Sequence, residues 1–310
     1  KSWENSRVLV TGSAGFIGRH LLAHLQKKKA IVLGLARHPH NLTVEKKVDV
    51  SSKKDLMAVF TQFRPDVCFH LASESLVEAG SRQPYETFNN NITSALNVLE
   101  VSRSFNIRRI IIASTSHVYG KAPVPYREDE PAKPSRPYET SKTCVDLIAQ
   151  SYADSFNLPV LIPRFVNIYG PGDLNFSRII PKTMMSVVHG KNPTLWGGSA
   201  KRQYMYVDDA IRAYSMLGQI TDTQLEKNRI YNVGAGKPIS ARDLITKIIA
   251  LGSEKLFIDK IEDEREDELL HQVVSWDKMR RSMKWMPRTT LDRGLWLTYQ
   301  WYKTVHVNSR

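Results

Sequence analysis

Near the start of the chain, Arg7-Val8-Leu9-Val10-Thr11 runs directly into Gly12-Ser13-Ala14-Gly15-Phe16-Ile17-Gly18. The short apolar run reads as a buried parallel strand. Behind the glycines, Ile17, Leu21, Leu22 and Leu25 fall on one face of a helical pattern. Strand, glycine turn and helix together form a phosphate cradle. Gly12 allows the tight turn, Gly15 lets the backbone approach a pyrophosphate, and Gly18 lets helix and strand pack closely. The helix N-terminus adds free N–H groups and a partial positive charge. The spacing is G-x-x-G-x-x-G rather than the G-x-G-x-x-G of the standard dinucleotide fingerprint.

The alternation that begins there continues. Strands are expected at Ile31–Ala36, in a short segment ending at Val48-Asp49-Val50, at Val67–Leu71, at Arg109–Ser114 and at Val160–Arg164. Helices fall between them: one capped by Ser51 or Ser52 and carrying Leu56, Val59 and Phe60, one from Pro84 to Ser104, and one from Pro137 to Phe156. Proline-rich sequence over 122–137 reads as an irregular loop. Strands alternating with helices predict an α/β fold, a Rossmann-like doubly wound parallel sheet. After Tyr169-Gly170-Pro171 the segments shorten and glycine and proline become frequent, which predicts a smaller C-terminal substrate-binding lobe. The expected division is 1–170 for the dinucleotide-binding domain, completed by segments around 203–235, and 171–310 mainly for the lobe. Tyr231-Asn232-Val233-Gly234-Ala235-Gly236 reads as a turn before a helix capped by Ser240. A final helix is expected over Leu291–Tyr302.

Charge narrows the partners. The 310 residues carry a formal net charge of +13, which suits a nucleic acid or a multiply charged anionic small molecule. The basic residues are scattered, with no stripe interleaved with aromatics, so a nucleic-acid partner is not expected. No run approaches a membrane span and no signal peptide opens the chain, and Cys68 and Cys144 lack metal-ligand spacing. The expectation is a cytoplasmic protein with free thiols, no membrane and no metal.

Two segments carry chemistry. Tyr138 and Lys142 stand at i and i+4 of a predicted helix, on one face. A free tyrosine, with a pKa near 10, is a poor base at neutral pH, but a neighbouring ammonium favours the phenolate. Such a tyrosine can take a proton from a sugar hydroxyl while hydride leaves the same carbon. Thr115, at the mouth of the fifth strand, can hydrogen-bond the same oxygen. After the second strand no acid is available for an adenosine ribose, and Arg37 follows instead. An arginine there either pairs with the 2′-phosphate of NADP or is a surface loop residue.

The combination resembles the extended short-chain dehydrogenase/reductase family, in particular its nucleotide-sugar epimerases and 4,6-dehydratases. Thr11 to Gly18 matches the cofactor loop, Asp49-Val50 the adenine-contacting pair, and His70-Leu71-Ala72-Ser73 the fourth-strand signature. Asn91 with Asn97-Val98-Leu99-Glu100 matches the long interface helix. Ser114-Thr115 before Val118-Tyr119-Gly120, and Tyr138-Glu139-Thr140-Ser141-Lys142, match the catalytic motifs. Arg164-Phe165-Val166-Asn167-Ile168-Tyr169-Gly170-Pro171, Tyr206-Val207-Asp208-Asp209 and Trp285-Met286-Pro287 continue the match through nearly the whole chain.

The resemblance implies Tyr138 as general base, Lys142 as ribose ligand and tuning charge, and Thr115 as assistant. It implies cofactor contacts from Gly12, Gly15, Phe16, Ile17, Gly18, Arg37, Asp49, Val50, Leu71, Ala72, Ser73 and Phe165; Arg37 in place of an acid makes NADP the expected cofactor and NAD the alternative. It implies that Ser75, Ser116, His117, Asn167, Arg178, Arg202 and Arg265 face a nucleotide-diphosphate sugar, and that the chain forms a homodimer through the helices beginning near Pro84 and Pro137. One departure bears on the product. Dehydratases of the family usually carry an acid pair or Ser-Glu after the catalytic threonine, and here the residues are Ser116 and His117. The expected reaction is therefore oxidation at C4 followed by 4-epimerisation, with 4,6-dehydration or 4-keto-sugar reduction as alternatives. His117 can act as a base, since its unperturbed pKa is near neutral, or can be structural. A cofactor-bound structural or RNA-binding protein on the same fold is the reading outside this class.

Overall fold

The computed structural model describes residues 2–307 except 42, 76, 254 and 263–270. The first half alternates as β1 (Arg7–Thr11), α1 (Phe16–Lys27), β2 (Ile31–Ala36), β3 (Glu45–Lys47), α2 (Lys53–Phe63), β4 (Val67–His70), α3 (Val77–Arg82) and α4 (Pro84–Arg103). It continues through β5 (Arg109–Ile112), β6 (Ser114–Thr115), a 3₁₀ turn over Ser116–Tyr119, α5 (Pro137–Phe156), β7 (Val160–Phe165) and β8 (Asn167–Tyr169). Shorter elements follow: α6 (Ile179–Val188), β9 (Thr194–Trp196), β10 (Lys201–Arg202), β11 (Tyr204–Tyr206), α7 (Val207–Leu217), α8 (Asp222–Lys227) and β12 (Ile230–Val233). The chain ends with β13 (Ile239–Ser240), α9 (Ala241–Gly252), β14 (Lys260–Glu262), β15 (His271–Gln272), α10 (Asp277–Met283) and α11 (Leu291–Val307).

An eight-stranded sheet orders these as β12-β7-β5-β4-β1-β2-β3, with β6 beside β7. Every pairing in it is parallel. The chain winds outward from β1 to β3, then returns to place β4 on the other side of β1. The crevice at the carboxyl ends of β1 and β4 is the place where such sheets bind ligands.

The sheet is doubly wound because alternate strand residues are apolar on both faces. Val8, Val10, Val67, Phe69 and Leu161 pack with Leu21 and Leu25 of α1 and Tyr214 of α7. Their neighbours Leu9, Cys68, Ile110, Ile112 and Val160 pack on the opposite face against Phe60 of α2, Val98 of α4 and Val145 of α5. Full burial of one such aliphatic side chain contributes about 1.5–3 kcal/mol.

Local signals set several boundaries. Ser52 caps α2 by accepting from the Asp55 N–H at 3.3 Å, and Ser240 caps α9 by accepting from the Asp243 N–H at 3.1 Å. Two segments differ from the sequence reading. The third strand lies at Glu45–Lys47 rather than ending at Val50, because pairing with β2 stops there and Val48 and Val50 turn inward as buried loop residues. Tyr231 to Val233 is not turn but part of strand β12, which closes the sheet edge against β7. Only Gly234 to Gly236 forms the expected turn.

Candidate active site

The glycine loop meets the fourth-strand loop at the crevice. Gly12 has φ +70°, and a Cβ there would lie 2.7 Å from the Ala72 nitrogen. A Cβ on Gly18 would collide with the Gly12 carbonyl oxygen. These contacts explain why side chains are excluded. Helix α1 begins after Gly15 with no side-chain cap and no acid in its first turn, so its leading N–H groups remain available to an anion. Asn91 of α4 fixes the loop after β4. It accepts from the Glu74 N–H at 2.6 Å, donates to the Glu74 carbonyl at 3.1 Å, and donates to the Ser141 hydroxyl of α5 at 2.9 Å.

A cavity of about 520 Å³ opens over this loop. Gly12, Gly15, Phe16, Ile17 and Gly18 border it, as do Arg37, Asp49, Val50, Leu71, Ala72 and Ser73, together with Tyr138 and Lys142. Its uncapped helix end and its glycine cradle fit a dinucleotide. Arg37 is exposed, and no described acid pairs with it. The carboxylate of Glu45 is engaged inward instead, by the Ser13 hydroxyl at 2.5 Å and the His40 and Asn41 N–H groups at 2.8 and 2.7 Å.

A second cavity of about 720 Å³ lies beside it, bordered by Thr115, His117, Asn167, Arg178 and Arg202. The two cavities meet at Ile17, Ser75, Ser114, Tyr138, Arg178 and Tyr214. Two expected site residues fall elsewhere. Phe165 borders the second cavity rather than the first, because it stacks on Tyr214 with ring centroids 4.5 Å apart. Ser116 borders neither cavity, because the tight turn it opens buries its side chain. Arg265 lies outside the described residues. Among the described residues no cluster of His, Cys, Asp or Glu could hold a metal ion.

At the junction, the Thr115 hydroxyl lies beside the Tyr138 hydroxyl and favours its ionised form, and Lys142 Nζ donates to the Ala113 carbonyl at 2.5 Å. The electrostatics differ from the simple expectation. Burial pushes the Tyr138 hydroxyl above its ordinary value of 10, while the Arg178 guanidinium and the Thr115 hydroxyl pull against it. Burial also takes Lys142 down to about 8, opposed by Asp146. The positive charge that favours its ionised form comes from Arg178, which neither local spacing nor the helix face reveals. Sequence reasoning also missed Gln272, whose amide nitrogen lies 3.2 Å from His117 Nδ1. That contact exists because β15 pairs with β10, and nothing local to Gln272 signals it.

A profile of the NAD dependent epimerase/dehydratase family matches residues 8–234. The chain belongs to this family. It is 31% identical over 271 residues to a dTDP-D-glucose 4,6-dehydratase of Dictyostelium discoideum, a match that covers 78% of this chain and spans 61% of that relative. It is 27% identical, over an alignment of 321 residues covering 95% of each chain, to a UDP-glucuronate 4-epimerase of Thermodesulfobacterium geofontis. The crystal structure of Thermus thermophilus UDP-glucose 4-epimerase in complex with NAD superposes with a TM-score of 0.85 at 27% identity, covering 96% of this chain and 99% of that one. The fold of this epimerase/dehydratase family member is therefore the Rossmann-like sheet read from its strands. No helix among the described residues is long and apolar enough to cross a membrane.

Proposed function

We propose that the protein oxidises C4 of a nucleotide-activated sugar and returns the sugar as its 4-epimer. One observation carries this reading: Thr115, Tyr138 and Lys142 converge where the cavity over the glycine loop opens into a second, arginine-bordered cavity. A bound nicotinamide supplies a hydride acceptor. Tyr138 accepts the proton of the C4 hydroxyl, and Thr115 orients that hydroxyl. Lys142 holds the nicotinamide ribose. Asn167, Arg178 and Arg202 take the diphosphate, for which forked guanidinium donors are suited. Ser75 and His117 face the sugar, and the resemblance adds Arg265.

The finer assignments are part of the same proposal. NADP is the preferred cofactor, because Arg37 replaces an acid at the end of β2. The division at about residue 170, with 203–235 completing the sheet, separates cofactor and sugar binding. The protein is a cytoplasmic homodimer and has no nucleic-acid partner, in keeping with its scattered basic residues. Dehydration is the second reading, favoured by the pairing of His117 with the buried Glu139 at 3.3 Å. Epimerisation is placed first because the glutamate usual in dehydratases is replaced by His117.

Mass analysis of products from UDP-, GDP-, CDP- and dTDP-sugars tests the proposal. Unchanged mass with a new stereoisomer means epimerisation, loss of water means dehydration, and gain of two hydrogens means reduction. Turnover of none of them with either cofactor overturns it.

A further inference from the structure

Glu45 of β3 joins the two loops that leave β1 and β2 beside the cofactor cavity. It stands in register with Gly34 of β2. A Cβ on Gly34 would lie 2.6 Å from Ser13 Cβ and 3.0 Å from Glu45 Cγ, so the missing side chain leaves the space in which Ser13 and Glu45 meet. Glu45 Oε1 accepts from the Ser13 hydroxyl at 2.5 Å, and Oε2 accepts from the His40 and Asn41 N–H groups at 2.8 and 2.7 Å. The Glu45 N–H in turn donates to the Asn41 carbonyl at 2.9 Å. Glu45 is 6% exposed. Burial opposes its ionisation, but these bonds and the charge of His40 outweigh that and hold it below the ordinary carboxylate range. The backbone of residues 37–41 is therefore fixed from the interior, while its basic side chains face outward. Arg37, His38 and His40 are exposed and border the cofactor cavity, and none of their side chains hydrogen-bonds a described residue. The sheet order sets this loop on the opposite side of β1 from β5, beyond which Lys142 meets Ala113. A dinucleotide with its pyrophosphate at the glycine loop and its nicotinamide towards Lys142 brings its adenosine ribose to residues 37–40.

We propose that residues 37–40 form a phosphate-monoester subsite, in which Arg37, His38 and His40 together take the 2′-phosphate of NADP and Glu45 is the positioning residue. The subsite rests on the NADP reading above and adds to Arg37 three residues that decide cofactor choice. Arg37 supplies forked donors. Each histidine supplies one N–H when neutral and two when protonated. A loop already held in one backbone geometry loses less conformational freedom when a ligand orders its side chains. NAD meets the glycine loop equally but has no group for the three basic side chains, so the effect of Glu45 falls on the ratio of the two affinities.

Titration calorimetry of the full chain with NADP and with NAD reads that ratio, and melting temperature without cofactor reads folding. The parent is expected to bind NADP about tenfold or more tightly than NAD. His38→Ala combined with His40→Ala should lose about three- to tenfold in NADP affinity, with NAD affinity and melting temperature nearly unchanged, because both residues are exposed. Glu45→Ala should lose most of the preference. Glu45→Gln should keep it, because its carbonyl can accept from both loop N–H groups and its amide can donate to Ser13. Glu45→Asp keeps the charge and shortens its reach, so it should also lose the preference, and it reads the role of Glu45 even where alanine fails to fold. A parent that prefers NADP while the histidine variant keeps its ratio within about twofold overturns the subsite. An aspartate or alanine variant that weakens both cofactors alike overturns the positioning role of Glu45. A parent that binds NAD as tightly as NADP removes the NADP reading and the subsite with it.

Discussion

Arg164 and Asp146 meet as a forked pair, Nε and Nη2 each 2.9 Å from a different carboxylate oxygen. The pair ties β7 to α5 one turn beyond Lys142, and the Ser114 hydroxyl donates to the same carboxylate at 2.8 Å. Both side chains are buried. Removing one partner of such a pair strands the other charge, so Asp146→Asn should destabilise the protein by about 3–5 kcal/mol. Replacing both, as Asp146→Leu with Arg164→Met, should recover much of the loss. Urea midpoints of the three proteins decide it, and a single variant as stable as the parent would contradict the role given to the pair.

Tyr138→Phe removes the proton acceptor and keeps the ring. Turnover should fall by about 10²–10⁴-fold, while melting temperature and nucleotide-sugar affinity change little. Turnover within a few-fold of the parent would mean that Tyr138 is not the base.

Lys142 gives a pH-dependent prediction. Burial lowers its pKa from 10.5 to about 8, so between those values the unfolded chain holds more protons than the folded one. Stability suppressed by the buried charge below about pH 8 is therefore regained as pH rises towards 10.5. Lys142→Met removes that charge, at the cost of a hydrogen bond worth about 1 kcal/mol. Its melting temperature should exceed the parent's by a few degrees at neutral pH, the gap closing in alkali. Cofactor affinity, measured by titration calorimetry, should fall. A variant less stable than the parent at neutral pH speaks against a buried ammonium.

Arg37 sets the cofactor prediction. NADP should raise the melting temperature more than NAD does, and Arg37→Ala should reduce that difference by about 1–3 kcal/mol of binding energy, the strength of a charge-assisted hydrogen bond. Equal or greater stabilisation of the parent by NAD would refute the assignment.

Helices α4 and α5 pack against each other, yet Tyr85 and Leu96 on one and Leu147 on the other remain exposed. Exposed apolar residues on this helix pair suit a self-complementary interface. Light scattering at micromolar concentration should give a homodimer, and Leu147→Glu should shift it towards monomer. A parent mass of 35.4 kDa would exclude the interface.

What the sequence determined by itself was whatever local geometry encodes. Glycine at 12, 15 and 18 marks a strand-to-helix turn because any Cβ there meets backbone, and Tyr138 and Lys142 share a face because helical residues four apart must. The parallel sheet followed from buried strands alternating with amphipathic helices. Tertiary structure decided the rest, because it depends on groups distant in sequence. Tyr231 reads as turn until β7 offers its edge. The direction of the Tyr138 shift reverses once burial is summed over every packed element. His117 acquires its partners only when the N-terminal turn of α5 brings Glu139 and β15 brings Gln272. Hydrogen bonds and desolvation act over a few ångströms in space, a distance that chain separation does not predict.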